Sequence, residues 1–294
     1  MYSRARAITT STTSFIQIQR LSNNKRSMST SSSQPSTTFV DHFGKVSDSY
    51  RTFRPTYPPE LFEVLKKHTA NTPRKLAFDI GCGTGQATVE IAKFFEKVIG
   101  FDPSAGQIGS AVSDSSNVEY KVSPAECIDY DGPKADLITV AQAAHWFDLP
   151  KFFGEVNRLL QPDGSLIIWC YGTCSITDND EINAIHMDYY SNTLGDQYWP
   201  ANRKLIDRNY EDIIPPFPNT TREQISFTKT LSINSMIGYY GTWSGYNKYK
   251  EMNNGQDPLP SLKQRLIAAL GAGADENTMI TLRFPVYFII SKFK

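Results

Sequence analysis

Three glycines spaced by one, Gly81, Gly83 and Gly85, follow a short apolar run that carries a single acid, Leu76-Ala77-Phe78-Asp79-Ile80. Glycine accepts positive φ and has no Cβ, so the backbone here can approach a ligand closely. The residues after the turn, Gln86 to Phe95, read as a helix whose N-terminus would aim N–H groups at that ligand. Strand, glycine turn and helix in this order open a nucleotide-binding βαβ unit. The dinucleotide fingerprint is G-x-G-x-x-G, and here the third glycine falls one position early. Asp79 stands two residues before the first glycine, where a carboxylate would repel a pyrophosphate and accept from an ammonium group. The pattern therefore points to a ligand with an amino-acid head and a nucleoside tail. Asp102 ends a second apolar run, Lys97-Val98-Ile99-Gly100-Phe101-Asp102, about 20 residues on, where an acid accepts from both hydroxyls of a ribose. Ser104 is available to cap the next helix in its place.

S-adenosylmethionine (SAM) is such a ligand, and the stretch Leu76 to Thr88 resembles motif I of the class I SAM-dependent methyltransferases. The resemblance implies that Gly81, Cys82, Gly83 and Gly85 cradle the cofactor. It also implies that the loop Ser123-Pro124-Ala125-Glu126 closes on the adenine, with Ala125 and Glu126 nearest to it. At the end of the fourth strand it places Gln142 beside the methionine part, with the small Ala141 letting that part pass, and His145 and Trp146 near the methyl group. Three further patterns are similar to the trans-aconitate methyltransferase group: Y-x-x-x-R-P-x-Y-P from Tyr50 to Pro58, A-x-x-x-H-W-F from Ala141 to Phe147, and T-W-S-x-Y from Thr242 to Tyr246. That similarity implies O-methylation of a small carboxylate. Tyr50, Arg54, Trp146, Trp243 and Tyr246 would then bind and orient the substrate. His145 is the candidate catalytic residue, and for a phenol or amine acceptor it would take the proton.

The elements that must position these groups follow from the apolar pattern. Five strand signals (Leu76–Ile80, Lys97–Asp102, Val118–Val122, Ala135–Val140 and Ser165–Tyr171) are separated by helical segments, which sets a doubly wound parallel sheet. Pro162-Asp163-Gly164 reads as the turn into the fifth strand. Alternation from Ile225 to Leu231 and the run Phe284 to Lys292 are two further strand signals, which the resemblance makes the sixth and seventh of the class I sheet, the last antiparallel. The expected fold is thus α/β, a seven-stranded Rossmann-like class I methyltransferase sheet. A helical lid over residues 39–72 precedes a SAM-binding core at 73–173, and 174–294 carry a cap insertion with the last two strands.

Residues 1–38 differ from the rest. They hold five basic residues, no acid and many Ser and Thr, the composition of a mitochondrial transit peptide or of a disordered tail that a start at Met28 would mostly remove. Either reading puts them outside the fold and leaves the location as cytoplasm or mitochondrion. Over the whole chain 30 Lys and Arg balance 30 Asp and Glu, which argues against a nucleic-acid partner. No apolar run reaches the roughly 18 residues of a membrane span. The four cysteines and four histidines are scattered without metal-ligand spacing, so no metal is expected. A monomer acting on a small molecule is the expectation. Two rivals remain on the same sheet: a NAD-linked oxidoreductase, and a non-catalytic SAM-binding or assembly protein.

Overall fold

Strands β1 (Leu76–Ile80), β2 (Lys97–Asp102), β3 (Val118–Val122), β4 (Ala135–Ala141) and β5 (Leu160–Tyr171) run parallel, in the spatial order β3-β2-β1-β4-β5. The computed structural model describes residues 57–111 and 115–293. β8 (Met279–Lys292) pairs antiparallel with β5, and β7 (Asn219–Ser232) pairs antiparallel with the other edge of β8 along its full length. The expected seven strands are present, with an antiparallel last strand. An eighth, β6 (Ser175–Ile176), pairs with Leu282 and Arg283 of β8, just beyond the stretch that β5 covers. It continues the line of β5 after a break, and two residues are too few to announce themselves in a sequence.

Side chains alternate across the sheet and feed two cores. On one face Ala77, Leu137, Ile167 and Trp169 meet Leu61, Phe62 and Leu65 of α1 (Pro59–His68) and Ala87 and Ile91 of α2 (Gln86–Ile91). On the other Phe78, Ile138, Leu166 and Ile168 meet Phe152, Phe153 and Val156 of α4 (Leu149–Leu159). Local signals start each helix. Pro59 occupies the first turn of α1. Ser104 Oγ accepts from the Gln107 amide to cap α3 (Ala105–Gly109), and Asp148 caps α4. α2 stops at Ile91, earlier than the pattern to Phe95 suggested.

The Pro162-Asp163-Gly164 turn lies inside β5. Ala135 pairs with Leu160 and Leu137 with Ser165, so five residues of β5 pass two of β4 in a bulge. Asp136, within that irregularity, accepts from the Lys75 and Leu76 amides at 2.8 and 3.3 Å and so fixes the start of β1.

The segment between β6 and β8 builds a helical cap. It comprises α5 (Asp180–Asp188), a π-helical turn (Tyr189–Thr193), α6 (Gly195–Tyr198), α7 (Arg203–Asp207), then β7, α8 (Ile233–Gly241), α9 (Ser244–Met252) and α10 (Leu259–Leu270). The aromatic residues of the cap join the core on the α1 face through Tyr189, Tyr239, Tyr240 and Trp243. Among the described residues no helix is long and apolar enough to cross a membrane.

Candidate functional site: the glycine turn and the cavity beyond β4 and β5

All three turn glycines have positive φ: 69° at Gly81, 56° at Gly83 and 84° at Gly85. Their surroundings differ. A Cβ on Gly81 would lie 2.5 Å from the Ala143 Cβ, and one on Gly85 would lie 2.0 Å from the Tyr120 hydroxyl. On Gly83 it would meet only Gln107 Oε1, at 3.7 Å. The first and third glycines therefore let protein pack against the turn, and the second is the one whose open side can receive a ligand.

Four amides of the turn itself are engaged within the protein. Gly81 and Cys82 both donate to the Phe101 carbonyl, at 2.7 and 3.0 Å, and Gly85 donates to Cys82 O at 3.0 Å. Gly83 donates to Asp102 Oδ2 at 2.9 Å. A pyrophosphate cradle needs unengaged N–H groups, and these four are used internally.

Asp79 also departs from its expected role. Its side chain is fully buried under the turn, where Thr88 Oγ1 donates to Oδ2 at 2.7 Å and Thr139 Oγ1 donates to Oδ1 at 2.9 Å. Burial pushes its pKa up to about 6 despite these two bonds. The carboxylate is thus a strut between β1, α2 and β4, and direct contact with an ammonium group is closed to it. The apolar run in which it sits concealed this depth. Cys82 is buried as well, and burial with the nearby Asp79 carboxylate pushes its thiol well up, so it stays protonated.

Asp102 lies at the lip of the turn, at the carboxyl end of β2, as expected. The Ser104 amide donates to Oδ1 at 2.9 Å and the Gly83 amide to Oδ2, which fixes the carboxylate plane. Ala125 is buried. Glu126 Oε1 accepts from the Asp148 amide at 2.8 Å, so this loop is tied to the start of α4. Gln142, immediately beyond β4, has φ 54°, rare for a residue with a Cβ. Its amide donates to Trp169 O at 2.9 Å and its Nε2 to Tyr171 O at 3.3 Å. Its Oε1 is buried with no partner among the described residues. A strained backbone and an orphaned acceptor at one position mark a site held for a ligand.

Beyond the ends of β4 and β5 a cavity is lined by Gln142, His145, Trp146, Tyr171, Thr173, Cys174, Trp199, Asn202, Arg203, Tyr239 and Trp243. The carboxyl ends of parallel strands are where open α/β sheets bind ligands. Four of the expected residues, Gln142, His145, Trp146 and Trp243, meet here. Tyr246 does not: it is buried, its hydroxyl donates to Asp257 Oδ2 at 3.1 Å, and burial pushes its pKa up to about 12. Tyr50 and Arg54, like the extension 1–38, lie outside the described residues.

The cavity also contains groups the sequence did not single out. Arg203 on α7 is stacked on the Trp199 ring (4.9 Å to the centroid) and the Tyr190 ring (5.4 Å). Its Nε donates to Tyr190 Oη and to Asp207 Oδ1, each at 3.1 Å, and its Nη2 to Thr173 Oγ1 at 3.3 Å. Asn202 donates to the His145 carbonyl at 2.9 Å. The Tyr210 hydroxyl lies 2.7 Å from His145 Nδ1; full burial raises the pKa of this phenol, so it keeps its proton. Only the clustered Trp199-Pro200-Ala201-Asn202-Arg203 could have hinted at this wall. Beneath the cavity His186 Nε2 donates to Cys174 O at 2.8 Å, which leaves Nδ1 to accept from the Tyr240 hydroxyl at 2.6 Å. Burial lowers the pKa of His186 and keeps this floor neutral.

Comparison with known proteins agrees with this geometry. The methyltransferase domain family matches residues 78–168, from β1 to β5. A methyltransferase of Dictyostelium discoideum is 52% identical over 87% of this chain and 96% of its own. An S-adenosylmethionine-dependent methyltransferase of Saccharomyces cerevisiae is 24% identical over 83% of this chain and 94% of its own. Among solved structures, a type II methyltransferase from Anaeromyxobacter dehalogenans is 30% identical, covers 82% of this chain and 98% of its own, and superposes with a TM-score of 0.72. The parallel sheet, the glycine turn with Asp102 at its lip and this similarity across nearly the whole length of a relative agree: the chain belongs to the class I SAM-dependent methyltransferases.

Proposed function

We propose that this enzyme methylates a carboxylate oxygen of a small organic acid, trans-aconitate-like in being compact and unsaturated. The observation that carries the reading is the cavity itself, in which a stacked arginine and an aromatic wall adjoin Gln142 at the carboxyl end of β4.

The residues present fit SAM. The open side of Gly83 admits the cofactor, Asp102 offers a fixed carboxylate to ribose hydroxyls, and Gln142 Oε1 offers an acceptor to the amino-acid head. When bound, the cofactor supplies an electrophilic methyl group on a sulfonium. The rest is done by the chain. A carboxylic acid titrates near ~4 and is already ionised at neutral pH, so no base is required. The protein has to hold the oxygen in line, exclude water and compensate the desolvated charge. Trp146, Trp199 and Trp243 wall off solvent, and Arg203, with Arg54 from the preceding segment, supplies positive charge. For a phenol or amine acceptor His145 would take the proton on Nε2, with Nδ1–H donating to Tyr210 Oη 2.7 Å away, which is the second reading.

Balanced charge supports a small substrate over a polyanion. We expect a monomer without nucleic-acid or membrane partners, in the cytoplasm or, through residues 1–38, in mitochondria. Radiolabelled SAM assayed with a panel of small acids, phenols and amines tests the function. Label transfer to an acid such as trans-aconitate is the expected result, and transfer only to phenols or amines would replace it with the second reading.

A further inference from the structure

Arg203 is held in place without being used up. A guanidinium has five N–H donors in a planar fork. Nε–H and one hydrogen on Nη2 are engaged, whereas both hydrogens of Nη1 and the other of Nη2 have no partner among the described residues. The side chain is only 21% exposed, and it lines the cavity, so these outer hydrogens are open to whatever occupies it. Its single ion pair, with Asp207, goes through Nε alone. The aromatic faces of Trp199 and Tyr190 fix the plane of the fork, and Tyr190 is itself set by the π-helical turn between α5 and α6. π-Helical turns occur frequently at functional sites. On the same wall Trp199 packs against Gly245, where a Cβ would lie 2.8 Å from the indole, and its ring centroid is 5.7 Å from that of Trp243. The glycine of the T-W-S-G-Y segment thus permits an aromatic shelf beside the cation, its two indole planes inclined by 50° to each other.

We infer that Arg203 is the specificity residue for the methyl acceptor. It receives one carboxylate of the acceptor bidentately on its Nη1 and Nη2 side, while the acceptor's planar, unsaturated body lies on the Trp199–Trp243 shelf. A carboxylate presents two oxygens matching the two outer nitrogens of a fork, and a flat π-system is complementary to indole faces. The inference rests on the reading of this cavity as the acceptor site, and it adds which residue reads the charge and which surface reads the shape.

The test uses the full chain saturated with S-adenosylhomocysteine and titrated calorimetrically with trans-cinnamate, its neutral amide trans-cinnamamide, and the saturated analogue 3-phenylpropanoate. Wild type should bind cinnamate about tenfold or more tightly than the amide, as a charge-assisted pair requires, and more tightly than the saturated acid. Arg203→Gln should bring the acid-to-amide ratio close to one and leave the affinity for S-adenosylhomocysteine unchanged. Equal binding of acid and amide by wild type, failure of both to bind, or a ratio that survives Arg203→Gln would each overturn the inference. If Arg203→Gln no longer binds S-adenosylhomocysteine, Arg203→Lys decides. It keeps the charge and loses the fork, so the ratio should fall several-fold, and an unchanged ratio is contrary. Label transfer to an acid by Arg203→Gln at the wild-type rate would remove Arg203 while the carboxylate reading stands. A wild-type chain that binds no S-adenosylhomocysteine would remove the reading beneath both.

Discussion

Asp102 Oδ2 and the Gly83 amide are 2.9 Å apart, so the end of β2 holds the glycine of the turn whose outer face is open. Cofactor contact and turn geometry therefore meet in one carboxylate. Asp102→Ala should weaken SAM binding by about 1.5–3 kcal/mol, the range for hydrogen bonds to a charged group. It should also lower the melting temperature, because the Gly83 and Ser104 amides lose their acceptor. Calorimetry and thermal unfolding on the same preparation check both. An affinity equal to wild type would exclude Asp102 from the site.

The buried Asp79 gives stability a defined pH dependence. Its folded pKa, about 6, lies above the ordinary 3.8. The folded state thus holds this proton more tightly than the unfolded chain does. Its stabilising contribution is full below about pH 4 and is lost as pH rises through about 6. Asp79→Asn cannot ionise and should gain on wild type by about 3 kcal/mol over that window. Urea unfolding of both proteins at several pH values between ~4 and ~8 measures the difference. A gap independent of pH would contradict the assignment.

Two alanine substitutions separate the roles of the glycines. Gly83→Ala has room for its Cβ, so it should cost only the roughly 1–2 kcal/mol of left-handed backbone strain and yet block SAM. Gly85→Ala drives its Cβ into Tyr120 and should cost about 2–5 kcal/mol of stability, strain and overpacking together. Denaturant midpoints and SAM titrations of the pair would show it. The opposite order, with Gly83→Ala the less stable, would mean that ligand and packing faces are exchanged.

The parts of this molecule legible in the sequence are those whose cause is local. The glycine turn, the acid ending β2, the Ser104 cap and the apolar strands each lie within a few residues of their reason. The depth of Asp79 is not local, since it depends on Thr88 and Thr139 arriving from α2 and β4. Arg203 and Tyr210 reach the cavity from a cap whose course has no sheet period to guide a reader. Gln142 was singled out at the end of β4, but its left-handed backbone and orphaned oxygen appear only once β5 lies beside β4. Tyr246 sits in a family-like motif whose tryptophan faces the cavity while the tyrosine, three residues further along the chain, turns toward Asp257.

That separation can be measured. Tyr246→Phe removes the bond to Asp257, which also accepts the Leu259 amide at 3.0 Å. The substitution should cost about 1 kcal/mol of stability and leave the Michaelis constant for the acceptor unchanged. A rise in that constant without a loss of stability would return Tyr246 to the substrate site.

Titration calorimetry of the purified chain with SAM, S-adenosylhomocysteine and NAD tests the central claim most directly. The open face of Gly83, with Asp102 at the lip of the turn and the third glycine one position early, predicts one-to-one binding of SAM and S-adenosylhomocysteine and no heat from NAD. Binding of NAD without binding of SAM would contradict it.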